Sequence, residues 1–312
     1  LASALAGQPG VAKGIARMLG HEKAAVRQAA LRAIAAQPGK VDAQFWNAPL
    51  QAQLAKGASP LLLDALARVK DKRFDEALNA IAADTTKPSS LRLKALLALS
   101  SSGEDLSDAA FKLLTDLFVD PANPGLRMDA AARLANTKLT PAQWDAYLAL
   151  LPNAGPLEQS ELLVALAVSQ NYKRISKDTG RKIAVAFSKS SMLGTFRQDL
   201  VRKAFGFLPR EIYEVLEPSF DAALAANEAK QERLVPLAQA AVKKGDPVAG
   251  RAVYESGRGA CIACHKIGDK GNELGPNLTK IGGIRAEREL VESILFPSYN
   301  IARDYDLNSF QL

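Results

Sequence analysis

The sequence predicts an all-α chain in two parts: a long array of helix pairs over residues 1–243 and a small helical module over 244–312. Three observations carry that expectation. Amphipathic segments recur through the first part at intervals of 29 to 38 residues. Alternating β-branched runs bounded by turn residues are almost absent. A charged breaker run, Lys243-Lys244-Gly245-Asp246-Pro247, separates an Ala/Leu-rich, aromatic-poor stretch from the segment that holds the only two cysteines. A chain of 312 residues is long enough for two domains, the first with a continuous core. So short a hinge would hold the two close.

The repeated apolar pattern is clearest in Val26–Ala35, Leu91–Ser100 and Leu126–Ala135, with weaker copies at Leu62–Ala67, Glu158–Ala167 and Phe196–Phe205. In each, apolar residues fall at i, i+3/i+4 and i+7/i+8, which places them on one helical face. Start signals accompany them. Ser59-Pro60 and Thr140-Pro141 put a capping residue before a first-turn proline, and Thr140 with Gln143 fits a reciprocal capping box. Helix pairs at a regular spacing bury their apolar faces by stacking, so the pattern predicts an α-solenoid. Its interior would be lined by Val26, Ala30, Ile34, Leu96, Leu99, Ala130, Leu134, Leu163 and Leu166. A non-repetitive helical bundle is the alternative. The recurring Val/Leu-Arg-x-x-Ala-Ala/Leu motif resembles HEAT repeats, with a shorter and less regular period than is usual for them. A helix-like stretch from Phe220 to Val242 closes the array.

Beyond the breaker run, Pro247–Ser256 reads as a short helix carrying Val248, Ala252, Val253 and Tyr254. Glycines 257 and 259 then lead into Cys261-Ile262-Ala263-Cys264-His265. A polar, glycine-bearing loop, Gly268–Glu273, precedes Leu274-Gly275-Pro276-Asn277-Leu278, and a second helix, Ala286–Leu295, stops before Pro297.

Cys261 and Cys264 stand at i and i+3, so both thiols can reach one face of a helical turn. That spacing, with a histidine directly after it, is the attachment pattern of a c-type haem. The thiols would form two thioethers to a single haem, and His265 would rise to the iron as its proximal axial ligand. Competing chemistries fit less well. Structural zinc needs about four ligands, and there is no second cysteine pair, while His21 lies far upstream in a turn. A thioredoxin-like pair would sit beside a βαβ pattern, and a plain disulfide leaves His265 unexplained.

The order helix, Cys-x-x-Cys-His, loop, Gly-Pro-Asn-Leu, helix resembles the class I cytochrome c fold. More narrowly, Gly250-Arg251-Ala252-Val253, Cys261 to His265, Gly275 to Thr279, Ile281-Gly282 and Glu292 to Ser298 resemble the haem-binding domain of planctomycete and verrucomicrobial proteins. The resemblance covers about the last 65 residues. That domain often follows helical repeats at the C-terminus of large membrane-associated dehydrogenase-like proteins. The resemblance implies that the Pro276 carbonyl accepts the ring N–H of His265, fixing its tautomer, and that Leu278 packs against the haem. It also implies that 244–312 is a haem domain incomplete at its C-terminus.

The departure from that family lies at the sixth iron position, which a methionine usually fills. Met18, Met128 and Met192 all precede the motif, and no Met or His follows His265. Three assignments stand side by side: a ligand beyond residue 312, a non-methionine group such as Tyr305 or Lys280, or five-coordinate iron. The first is preferred, because the chain starts at Leu1 and breaks off in mid-pattern.

Charge divides unevenly. Residues 244–312 carry nine basic and nine acidic groups, so the first part holds the whole formal charge of +7. No Lys/Arg cluster with interleaved aromatics supports nucleic-acid binding. No apolar run is long enough to span a membrane. Covalent haem attachment places the protein in the periplasm or otherwise outside the cytoplasm. No catalytic constellation is visible, so the expected function is electron transfer through one covalent haem c. The array would dock a redox partner or a fused dehydrogenase. A haem enzyme or a gas or peroxide sensor with an open distal site is the second expectation, and a protein-interaction scaffold the third.

Overall fold

Helix dominates the computed structural model, which describes residues 9–37, 44–100, 106–120, 122–167, 175–256, 261–272 and 275–296. In chain order the helices are α1 Pro9–Leu19, α2 Ala24–Ala35, α3 Asn47–Ala55, α4 Pro60–Val69, α5 Asp75–Ala83, α6 Ser89–Ala98, α7 Asp108–Phe118 and α8 Pro124–Ala135. They continue as α9 Pro141–Leu150, α10 Pro156–Ala167, α11 Lys177–Ser188, α12 Gln198–Gly206, α13 Arg210–Val242, α14 Pro247–Glu255, α15 Cys261–Cys264 and α16 Glu287–Leu295. The only strands among the described residues are β1 Lys266–Ile267 and β2 Lys270–Gly271, an antiparallel pair. This hairpin occupies part of the segment expected to be an irregular loop.

The described residues form two compact units. One runs up to Leu150 and takes in Leu157–Ala165; the other takes Leu151–Pro156 and continues from Leu166.

In the first unit, α1 packs on α2, α3 on α4, α5 on α6 and α7 on α8. The second helix of each pair also packs on the next: α2 on α4, α4 on α6, α6 on α8. The aligned repeat starts at 26, 62, 91, 126 and 158 each fall two residues inside a helix, at the same register. The copy at Phe196 does not, because that residue is buried in the turn before α12. Burial follows the periodicity. Ala30, Ile34, Leu96, Ala130, Leu134, Leu163 and Leu166 are buried, whereas Val26 and Leu99, close to helix ends, are half-buried.

The repeated arginine of the motif has a structural use. Arg27 donates to the carbonyls of His21 at 2.8 Å and Glu22 at 2.6 Å, in the turn before its own helix. Arg92 donates to the Ala82 carbonyl at the end of α5, at 2.8 Å. Arg127 instead pairs with the buried Glu158 at 2.9 Å. Carbonyls near helix ends have no intrahelical donor, and Arg92 satisfies one of them from the next helix. The expected caps are present. Ser59 Oγ accepts from the Leu62 amide at 3.3 Å, and Thr140 and Gln143 bond reciprocally, at 3.1 and 3.3 Å.

In the second unit, α11 and α12 pack on α13 around the rings of Phe187, Phe196 and Phe205, which meet edge to face, and the buried Phe220. The long helix starts at Arg210, ten residues before the expected start at Phe220, and runs through both Pro218 and Pro236. Each proline removes one backbone donor; packing holds the helix together across these points. Its C-terminal half carries Val235, which clusters with Val291 and Phe296 and seats α16.

Candidate functional site

Described residues between 246 and 279 gather around the Cys-x-x-Cys-His motif. Asp246 begins the segment: its carboxylate accepts from the Val248 and Ala249 amides at 2.8 and 3.4 Å, and Pro247 takes the first-turn position of α14. Cys261–Cys264 makes a single helical turn, closed by the His265 amide donating to the Cys261 carbonyl at 2.8 Å. That turn carries both thiols, which form no disulfide and are exposed. The chain then reverses through a two-residue turn at Gly268, whose φ of +60° a side chain would resist.

His265 is held from several directions. Its Nδ1 lies 2.9 Å from the carbonyl oxygen of Pro276. A carbonyl only accepts, so Nδ1 carries a proton, and in the neutral ring the lone pair that a metal ligand requires then sits on Nε2. Gly275 sits against the ring: a Cβ there would stand 2.8 Å from Cε1 and 2.9 Å from Nδ1, a clash with any side chain. The Gly275 amide donates to the Cys264 carbonyl at 2.7 Å, fixing the Gly-Pro turn to the cysteine turn.

The His265 carbonyl accepts the Tyr254 hydroxyl at 2.6 Å, and Gly271, at φ +99°, passes so close that a Cβ would come within 2.0 Å of that same oxygen. Partial desolvation, with Cys261 and Glu255 nearby, raises the Tyr254 phenol, which keeps it a donor. Lys270 of β2 and Arg251 of α14 both bond Glu255, at 2.5 and 2.8 Å, and hold its carboxyl below the usual range. Asn277 and Thr279 complete the frame. The Thr279 hydroxyl donates to Asn277 at 2.6 Å and accepts from the Gly268 amide at 2.8 Å.

The sequence-predicted residues are therefore brought together in part. Cys261, Cys264, His265 and Pro276 converge; half-buried Leu278 joins them through its amide, 2.8 Å from the Lys266 carbonyl. Tyr305 lies outside the described residues, and Lys280 is exposed before the short helical turn Ile281–Gly283. His21 is exposed in a turn, its Nδ1 accepting from the Lys23 amide at 3.0 Å. The contact of Tyr254 with His265 escaped the sequence, because a tyrosine seven residues before Cys261 on a short helix announces no partner. Gly271 likewise read as one glycine of a loop.

The fit of this frame to a large apolar group is testable on its surface. α14 buries none of its residues, nor does Ile281–Gly283, and α16 buries only Val291. Val248, Ile284 and Ile294 stand 78%, 72% and 79% exposed, with Val253 at 49%. The two buried hydrophobics of the segment, Val291 and Phe296, face Val235 of α13. Among the described residues the segment thus has no apolar core of its own, while its apolar side chains lie open. Small domains in that position need a staple, a metal or a prosthetic group. The donor set of two exposed thiols and one tautomer-fixed imidazole fits a covalently held haem.

No family profile, curated protein or solved structure matches the chain. Among the described residues, no helix is long and apolar enough to cross a membrane, and no group of three or more His, Cys, Asp or Glu side chains could hold a metal ion.

Proposed function

We propose that this chain carries one covalent haem c on a cytochrome c-like module and transfers electrons, with residues 1–243 serving as a HEAT-like solenoid that docks a redox partner or a linked dehydrogenase. The observation that carries the reading is the His265 frame: a ring fixed at Nδ1 by Pro276, backed by Gly275, and one turn from two exposed thiols. Cys261 and Cys264 would anchor the group through thioethers, and His265 would offer Nε2 to its iron. When bound, haem c supplies a one-electron iron couple. The chain's own residues orient and polarise the ligand: the Nδ1–H bond to Pro276 increases the donor strength of Nε2. The apolar side chains of α14 and α16 would shield the group from water. The stacked pairing of α2, α4, α6 and α8 at a common register supports the solenoid part of the reading.

Covalent attachment of this kind implies maturation outside the cytoplasm, so the protein belongs in the periplasm or an equivalent compartment. Production with a c-type maturation system tests the proposal. The chain should stay coloured after acid–acetone extraction and gain the mass of one haem, whereas a colourless protein with two titratable thiols would refute it. A chain with five-coordinate iron that turns over peroxide would move the reading from electron carrier to haem enzyme.

A further inference from the structure

We infer that Tyr254 is a positioning residue for His265, holding the backbone of the iron ligand while Pro276 holds its ring. The inference rests on the haem reading above. His265 is gripped at both ends of its side-chain axis: Nδ1 bonds the Pro276 carbonyl at 2.9 Å, and the main-chain oxygen accepts the Tyr254 hydroxyl at 2.6 Å. The second bond is short but within the ordinary range for O–H···O. Gly271 closes on the same oxygen and leaves room for no side chain, so the carbonyl is confined between a hydroxyl and a bare backbone. Tyr254 is itself anchored. Asp246 caps the start of its helix.

Removing the hydroxyl frees the His265 peptide to rotate. The ring follows through Cα–Cβ, the Nδ1–H···O bond to Pro276 lengthens, and Nε2 becomes a weaker donor. Outer partners of metal-bound histidines act in this way. A tyrosine that merely glued α14 to the hairpin would affect stability and leave the iron–histidine bond alone.

The test uses the full haem-bearing chain with Tyr254→Phe, which keeps the ring and removes the hydroxyl, beside Glu255→Gln, which loosens the same helix–hairpin tie without touching His265. In Tyr254→Phe the ferrous iron–histidine stretching band should fall in frequency. Acid should also release His265 about one pH unit higher, matching the roughly tenfold weakening typical when an outer partner is lost. Glu255→Gln should keep both parental values. Coincident bands and acid transitions in Tyr254→Phe and the parent would overturn the inference, as would an equal shift in Glu255→Gln. If the parent itself bears no covalent haem, the functional reading falls and this inference falls with it. If all three chains carry haem without difference, only the inference falls.

Discussion

The helices up to Ala135 and the segment 247–296 treat apolar residues in opposite ways. In the first region Ile34, Leu50, Leu63, Leu78, Leu114 and Leu134 are fully enclosed, and each helix pair covers the face left open by its neighbour. In the second, Val248 and Val253 of α14 and Ile294 of α16 stand open, while the polar frame around His265 is closely made. One region is organised by packing and the other by hydrogen bonds and tight backbone approaches around a single side chain. On the proposed haem reading, the group itself would supply the apolar bulk that this segment lacks, and the frame that would hold it is the part built most tightly.

The largest effect expected concerns attachment. Cys261→Ser with Cys264→Ser should abolish covalent haem altogether, measured as loss of the haem mass and of the absorption that survives extraction. Retained covalent haem would refute attachment through these two thiols. In haem-bearing protein, amides of 247–256 and 287–296 should exchange far more slowly than in the haem-free chain, while those of α2 to α8 should not change.

Next comes packing. Leu63→Ala or Leu134→Ala should cost about 2–5 kcal/mol in urea unfolding, because each empties an enclosed site. Val248→Ala and Ile294→Ala should stay within about 0.5 kcal/mol in the haem-free chain, since both side chains already face solvent. Equal costs in the two regions would break the comparison. Ser59→Ala should cost about 1 kcal/mol by removing the α4 cap.

The smallest effects are acid–base ones within the helical array. The Arg73 side chain, with further help from its amide and from Asn47, holds the Asp71 carboxyl down at about 2. A depressed carboxylate stabilises the fold above its unfolded value and loses that contribution as pH falls through the folded one. Asp71→Asn should therefore flatten the stability profile between about pH 4 and pH 2, by under about 1 kcal/mol given its screening by solvent. Glu161 is shifted the other way, by burial first and by Asp129 second. Its ionised form is disfavoured in the fold, so stability falls as pH rises from the ordinary carboxylate range through its higher folded value. Glu161→Gln should remove that fall and stabilise the protein at neutral pH; a less stable variant would show that the carboxylate is needed where it stands.

Much of this was legible in the residues themselves. The all-α class, the register of the helices at 26, 62, 91, 126 and 158, and the caps at Ser59 and Thr140 follow from spacing and from side chains that bond within one turn. So does the placing of two thiols on one turn ahead of His265. These are local relations, set by the 3.6-residue period and by the reach of a few atoms. The out-of-register turn at Phe196, the long helix carried through two prolines and the hairpin at Lys266–Gly271 were decided elsewhere. In each, packing or a positive-φ glycine overrides what propensity favours. The Gly275 backbone under the imidazole and the Tyr254 hydroxyl on the His265 carbonyl were likewise decided only by tertiary structure. No pattern along the chain encodes them, because each joins groups ten or eleven residues apart whose meeting depends on how the intervening turns close.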